Sequence, residues 1–457
     1  MNNGISIKKL VEKFWAIEQK SDLLNYQIEG VKIWQYLRHR IFLILTQKVG
    51  LYAYAHTKKN SLTELLKSVP SLLYYSIFSN PLSGNYQKDI LVFSAGRKVK
   101  VDGKFIDIYS DYLVNDLPEN SYEIIEELYL NKHLPADKKN RKHQDYQQIR
   151  SFLKSKLSGF RFSDEQLKSI SEIKTSIKSE LNVELDLKPL FHNGILMFKY
   201  DYEFYDKLLN KRKPKQIFLV CSYVYKLALI AAAKKNGIET IEIQHATIDK
   251  FHVGYSFPNQ KSIDYYPDKI YFFGEYWKEA AAIPLSEENK IVYGFPYFQK
   301  QKKNFENIKK QSKTVLVISQ GTIGRKLSEF VWKCKDKLKD FQVVYKLHPG
   351  EYERWRNDYP ELLKLDQEKN ITVVDNNNTN LYGFFAQSEF VIGVYSTAVF
   401  EALSFECKVM LVDLPGIEFL EDLIKKDFVK LLKNKEDLAF QLSRGDFKKF
   451  DSNMFFA

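Results

Sequence analysis

Between residues 314 and 412 short apolar runs alternate with helical periodicity, and this rhythm restricts the chain more than anything else in its sequence. Strands are expected at 314–319, 342–347, 371–375, 390–393 and 408–412, with helices from about Leu327 and at 379–387 and 397–405. Strands separated by helices pair in parallel, and a parallel sheet needs helices on both faces. The rhythm is also present upstream. An apolar run at 89–94 ends in a Ser-Ala-Gly turn. Residues 216–221 read as a strand, a helix follows from Lys226, Asn236-Gly237 stops it, and strands follow at 239–245 and 269–274.

With 457 residues, two such units are the expected organisation. The boundaries fall as a helical N-terminal extension at 1–85 and a first Rossmann-like unit at 86–297. That unit carries a polar helical insertion at about 130–190. A charge-dense linker follows at 298–313, and a second Rossmann-like unit with C-terminal helices at 314–457. The fold class is therefore α/β, with two parallel sheets facing a central cleft. Ligands of such sheets sit beyond the carboxyl ends of the strands.

Lys and Arg exceed Asp and Glu by 69 to 57, a net +12. Phosphorylated small molecules or an anionic membrane face fit that excess. Nucleic acid does not, because no zinc-finger spacing or RNP-type motif is present. Cys221, Cys334 and Cys407 are odd in number and far apart, which predicts no disulfide framework and fits a reducing cytoplasm. Charges interrupt every apolar run near the N-terminus, so neither a signal peptide nor a membrane span is expected. The aromatic stretches 41–55 and 68–82 suit either buried helices or interfacial segments.

Four strand-to-helix turns carry residues able to meet a phosphate or a sugar. Tyr395-Ser396-Thr397 opens a helix, where free N–H groups and hydroxyls favour an anion, although ordinary N-capping would use the same Ser. Glu401, one turn on, is placed to accept from a ribose. Lys346-Leu347-His348-Pro349 offers a point charge and a directional ring, with His348 also a candidate acid. Gln320-Gly321-Thr322 lets backbone amides approach a diphosphate, without the spacing of a Walker A loop. Gln244-His245, with His252 and Tyr255 in the following loop, suits a sugar-binding or catalytic loop. No third ligand stands at metal spacing from the two histidines, so no metal is expected there.

A His-Pro after one strand and a Ser-Thr at a later helix start resemble bacterial sialyltransferases and polysialyltransferases. In those enzymes the two motifs hold the CMP part of the donor, which implies that role for His348, Pro349, Ser396 and Thr397. Gln244-His245, His252-Val-Gly-Tyr255 and the stretch 266–277 resemble a wider group of capsule and lipopolysaccharide glycosyltransferases, distantly akin to CDP-glycerol polymerases. The resemblance spans roughly residues 215–415 and implies the GT-B architecture. It also implies transfer of a sugar from a CMP-, CDP- or UDP-linked donor, used as substrate and not as a resident cofactor, to a surface glycan. Lys346, Gln320, Gly321, Thr322 and Glu401 would join the donor site. Gln244, His252, Tyr255 and Tyr395 would contact substrate, and His245, His348, Asp111 or Asp102 would move the proton. The expected setting is the cytoplasm, with contact at the inner membrane face. The alternatives are a glycerol- or ribitol-phosphate transferase or nucleotide-sugar epimerase on the same fold, or a non-catalytic component of a capsule assembly.

Overall fold

The computed structural model describes residues 5–51, 62–96, 98–101, 103–115, 117–128, 133–135 and 140–457, with side chains in the helix Leu62–Phe78 described from residue 69. The first unit is built from Ile90–Ser94 (β1), Lys98–Val101 (β2), Lys104–Asp107 (β3), Tyr122–Glu126 (β4), Arg141–His143 (β5), Gln216–Val220 (β6), Glu239–Ile243 (β7), Lys269–Phe272 (β8) and Lys290–Val292 (β9). β2 and β3 form an antiparallel hairpin turning at Gly103, whose φ of 82° suits glycine. The other seven make one parallel sheet in the order β5-β4-β1-β6-β7-β8-β9. Its central strands read Ile-Leu-Val-Phe and Ile-Phe-Leu-Val, and they are buried on both faces as helix-covered parallel strands must be.

Gln311–Ile318 (β10), Gln342–Lys346 (β11), Ile371–Val374 (β12), Ser388–Gly393 (β13), Lys408–Val412 (β14) and Lys430–Leu432 (β15) form the second sheet. It is parallel throughout, in the order β12-β11-β10-β13-β14-β15. Each sheet grows from its first strand in one direction and then resumes on the other side of that strand. The order therefore reverses between β1 and β6, and between β10 and β13. This is a doubly wound pair in the GT-B arrangement.

Three local features depart from the sequence expectation. The helices Ile7–Lys20 and Ile33–Lys48 do not stand apart as an extension. They share a core with the first unit, and Gly194 in the helix Leu187–Arg212 lets Leu37 and Ile33 approach so closely that a Cβ there would meet Leu37 Cδ1 at 2.9 Å. Arg38 is buried in this core, paired with both oxygens of Glu18 at 2.7 and 2.8 Å and set 4.1 Å from the Phe257 ring centroid. The supposedly all-helical stretch 130–190 contains β5. Its Arg-Lys-His sequence lacks an apolar signal because its side chains serve a buried ionic cluster. The stretch 298–313 is largely structured: the helix Pro296–Asn304 runs into it and β10 begins at Gln311.

The two units are packed through aromatic rings. Trp277 meets Phe400 at 4.5 Å and Phe298 meets Tyr382 at 5.5 Å between centroids. The chain end returns to the first unit: Trp277 Nε1 donates to Phe455 O at 2.7 Å and Ala457 N to Phe273 O at 2.8 Å. Among the described residues no helix is long and apolar enough to cross a membrane. Of the two aromatic stretches, residues 41–45 place Ile41, Phe42 and Leu45 in the core. In the helix Leu62–Phe78, by contrast, Leu73, Tyr74, Ile77 and Phe78 lie exposed. Residues 52–55 of the first stretch fall outside the described residues.

Candidate functional site

Three neighbouring strands of the second sheet, β11, β10 and β13, deliver three turns to its carboxyl edge. Adjacent strands lie about 4.8 Å apart, so the outer two turns flank the central one across roughly 10 Å. In a doubly wound sheet the reversal of strand order, here between β10 and β13, is where a ligand crevice is expected. Gln320 lies on one side of it and Tyr395 on the other.

Side chains bind these turns together. The Tyr395 backbone N–H donates to Gln320 Oε1 at 3.1 Å, and Thr322 Oγ1 lies 2.9 Å from Tyr395 Oη. Phe419 packs on the Tyr395 ring at 5.4 Å. Gly416, with φ of 99°, lies so close to that ring that any Cβ would overlap it. Beneath β10 and β11, the buried Glu351 accepts three bonds: from Ser319 Oγ at 3.0 Å, Tyr359 Oη at 2.9 Å and the His348 backbone N–H at 2.7 Å. Burial still raises its carboxyl above the usual range. Gly324 completes the turn, because a Cβ there would collide with the Glu351 carboxylate and come within 2.8 Å of Tyr359 Oη. Arg354 Nη2 donates to Gly321 O at 2.5 Å.

On this frame Ser396 caps the helix Thr397–Ser404, its Oγ accepting from the Ala398 N–H at 3.1 Å. Ser396 and Thr397 remain partly exposed, so the helix tip is reachable. His348 is exposed beside Pro349. Its Nδ1 accepts from Gly350 N–H at 3.1 Å, which leaves Nε2 as the donor of a neutral ring. Glu401 is buried and accepts from Tyr382 Oη at 3.0 Å. Burial and the nearby Glu401 push Tyr297 of the first unit up to about 12, which puts Glu401 at the seam between the units. Lys346 is differently disposed from the phosphate contact expected of it. Its ammonium is buried on the Tyr352 hydroxyl, Asn376 O at 2.8 Å and Leu347 O at 3.2 Å, and burial lowers it to about 8.

The first unit contributes His245, which follows β7 with its side chain 16% exposed. Tyr223 Oη lies 3.3 Å from Nε2 and Tyr255 Oη 3.3 Å from Nδ1. Tyr255 Oη in turn donates to Glu242 Oε1 at 2.7 Å. A carboxyl–phenol–imidazole chain therefore ends at this histidine, and burial raises the Glu242 carboxyl at its far end. Gln244 and Tyr255 are fully buried and hold His245 in place instead of meeting substrate. Gln244 donates to Ala246 O at 2.9 Å and accepts from Phe273 N–H at 2.8 Å. His252 stands behind them, stacked on His39 at 6.2 Å and lowered to about 3 by burial. Asp111 is ion-paired with Arg141 at 2.7 Å and accepts from the Asp107 N–H, so it is engaged within the hairpin region and is no base for the cleft. Asp102 lies outside the described residues.

Three features were not singled out from sequence. Asp249 lines a cavity of about 200 Å³ whose walls come from both units, Ile248–Lys250 and Tyr276 on one side and Glu418–Lys426 on the other. Lys250 bridges the units to Glu421 at 2.7 Å. Burial raises the Asp249 carboxyl to about 7, against the N–H of Phe251 at 2.8 Å that favours its charged form. The others are the Glu351 and Glu242 hubs. Glu351 is announced by the capping-box spacing His348-x-x-Glu351, and Glu242 by a carboxylate inside an apolar strand.

Two doubly wound parallel-sheet units, each reversing its strand order once, give the chain the GT-B fold. No family model matches the sequence, and no curated protein does. Among solved structures it is similar to UDP-GlcNAc 2-epimerase from Methanocaldococcus jannaschii, with TM-score 0.45 and 12% identity over 80% of this chain and 96% of that one. It is similar also to MurG of Acinetobacter baumannii, with TM-score 0.45 and 10% identity over 80% and 92%. The wall teichoic acid polymerase TagF gives TM-score 0.42 and 13% identity over 89% and 86%.

Proposed function

We propose that the chain transfers a sugar from a nucleotide-activated donor, a CMP-sugar first, to a surface glycan. The observation that carries this reading is the hydrogen-bonded union of the Gln320, His348 and Tyr395–Thr397 turns at the β10/β13 crevice. A helix N-terminus with reachable hydroxyls suits a phosphate, and the neutral imidazole donor of His348, two strands away on the same sheet edge, suits a more distant phosphate oxygen or a base edge. His348 then assists departure of the nucleotide. The acceptor proton goes to His245, which Glu242 and Tyr255 orient; Asp249 is the alternative acceptor. The glycan approaches from the first unit, and the basic surface meets an anionic membrane face in the cytoplasm.

The test is thermal shift and calorimetry against CMP, CDP, UDP, GDP and dTDP, followed by donor turnover with and without glycan acceptor. A ligand at a hundredfold excess over its Kd stabilises by about 2.7 kcal/mol, an easily read shift. Acceptor-dependent release of the free nucleotide supports the transferase. Interconversion of the sugar without nucleotide release would replace it with an epimerase. Binding by none of the five would overturn the donor site.

A further inference from the structure

We infer that the first unit holds a divalent transition-metal site, with zinc as its fitting ion, formed by Glu126, His133 and His143. It lies apart from the histidines considered above. One ligand atom from each of the three lies within 4.8 Å of the others. β4 and β5 bring the first pair together, because Glu126 and His143 face each other in register at the ends of these strands. His133 comes in from the intervening segment, and its ring lies 4.2 Å from that of His143.

The second observation is how the rings are held. His133 Nε2 faces Asp145, 2.8 Å from Oδ2, while His143 Nδ1 lies 2.7 Å from Ser79 Oγ. Each imidazole thus has one nitrogen engaged by an outer partner, the arrangement by which proteins orient metal-bound histidines through the other. The inward Nδ1 of His133 has no hydrogen-bond partner although its side chain is only 2% exposed. It stands 3.7 Å from Glu126 Oε1. Two ligands about 2.1 Å from a tetrahedral zinc are about 3.4 Å apart, so a small side-chain movement completes the geometry.

Charge favours the same occupant. Glu126, Asp145, Asp111 and Asp107 are gathered here with two fixed cations, Lys98 and Arg141. With both imidazoles neutral, as metal binding requires, the remaining two negative charges are what a divalent ion cancels. Glu126 accepts from Lys98 at 2.7 Å and Arg141 at 2.9 Å, yet a carboxylate has about four lone-pair positions and can still bind a metal. Two imidazoles and one carboxylate suit zinc over magnesium or calcium, which prefer all-oxygen shells. Tyr75 packs on both rings at 4.3 Å and shields the cluster.

The full chain, purified without a histidine tag and stripped with chelator, is titrated with Co²⁺ and Zn²⁺, with Mg²⁺ as the comparison. One equivalent of Co²⁺ with tetrahedral d–d absorption, displaced by Zn²⁺ and unaffected by Mg²⁺, is the expected result. His143→Asn is expected to weaken binding about a hundredfold, and Asp145→Asn, which acts through His133, about 10–100-fold. Should those variants fail to fold, X-ray absorption of the zinc-loaded wild type is expected to report two imidazoles and oxygen. Absence of stoichiometric binding, unchanged affinity in folded His143→Asn, or sulfur in the zinc shell would each overturn the site.

Discussion

Gln320 Oε1 accepts the backbone N–H of Tyr395 at 3.1 Å, across the two strands between which the order of the second sheet reverses. A side chain that closes this gap fixes the separation of the two lips of the crevice. Replacing it with leucine leaves the Tyr395 N–H without its acceptor. The expected cost is about 1–3 kcal/mol in chemical denaturation. A tenfold or greater loss of nucleotide affinity in calorimetry is expected alongside it. Full affinity in a destabilised Gln320→Leu would separate the crevice from the donor.

Gly324 and Gly350 make a matched pair of substitutions. A Cβ on Gly324 drives into the Glu351 carboxylate, which is held from three directions, so Gly324→Ala is expected to destabilise by about 1–3 kcal/mol, as overpacking does. A Cβ on Gly350 comes no nearer than 3.4 Å to His348 Nδ1, and its φ is not positive. Gly350→Ala is therefore expected to stay within about 0.5 kcal/mol of the parent. Urea denaturation of both variants checks the contrast, and equal effects would contradict the assigned hub.

The parallel-sheet rhythm was legible because helix-covered strands must be apolar on both faces, as Leu316, Val317 and Val391, Ile392 show. The turns at Ser319, His348 and Ser396 were legible as the polar ends of those strands. What was not legible depends on long-range packing. Nothing local to Lys346 says that Tyr352 and Asn376 will take its ammonium. Nothing near Gln244 says that its amide will close a turn onto Phe273. β5 escaped detection because its three residues are polar and its partner strand is distant in sequence, and the partial enclosure of Asp249 depends on the approach of a second unit.

Asp249 also sets a pH dependence. Its carboxyl ionises near 7 in the folded protein against about 3.8 when unfolded, so the folded state holds this proton more tightly. Its contribution to stability is complete below about 3.8 and is lost as pH rises through about 7. Glu126 acts in the opposite sense: held down to about 2, its contribution is present above the ordinary glutamate range and lost only in strong acid. Asp249→Asn is therefore expected to flatten the decline of stability between about pH 4 and 7 while leaving the acid limb unchanged. Melting temperatures of both proteins across that window measure it, and parallel curves would mean that Asp249 is solvated in solution.

His245 and Asp249 can be told apart as proton acceptors by rate and binding together. A positioned base contributes about 10²–10⁴ in rate and little to donor affinity. His245→Ala is thus expected to lower kcat by that factor with nucleotide binding retained. Tyr255→Phe, which severs the link from Glu242 without reaching the cleft, is expected to reproduce part of the loss and to alter the pH profile. If Asp249 is the acceptor, Asp249→Asn removes the limb of the rate profile near pH 7 and His245→Ala keeps it. Loss of donor binding in His245→Ala would place that histidine in the nucleotide site and leave the acceptor side to Asp249.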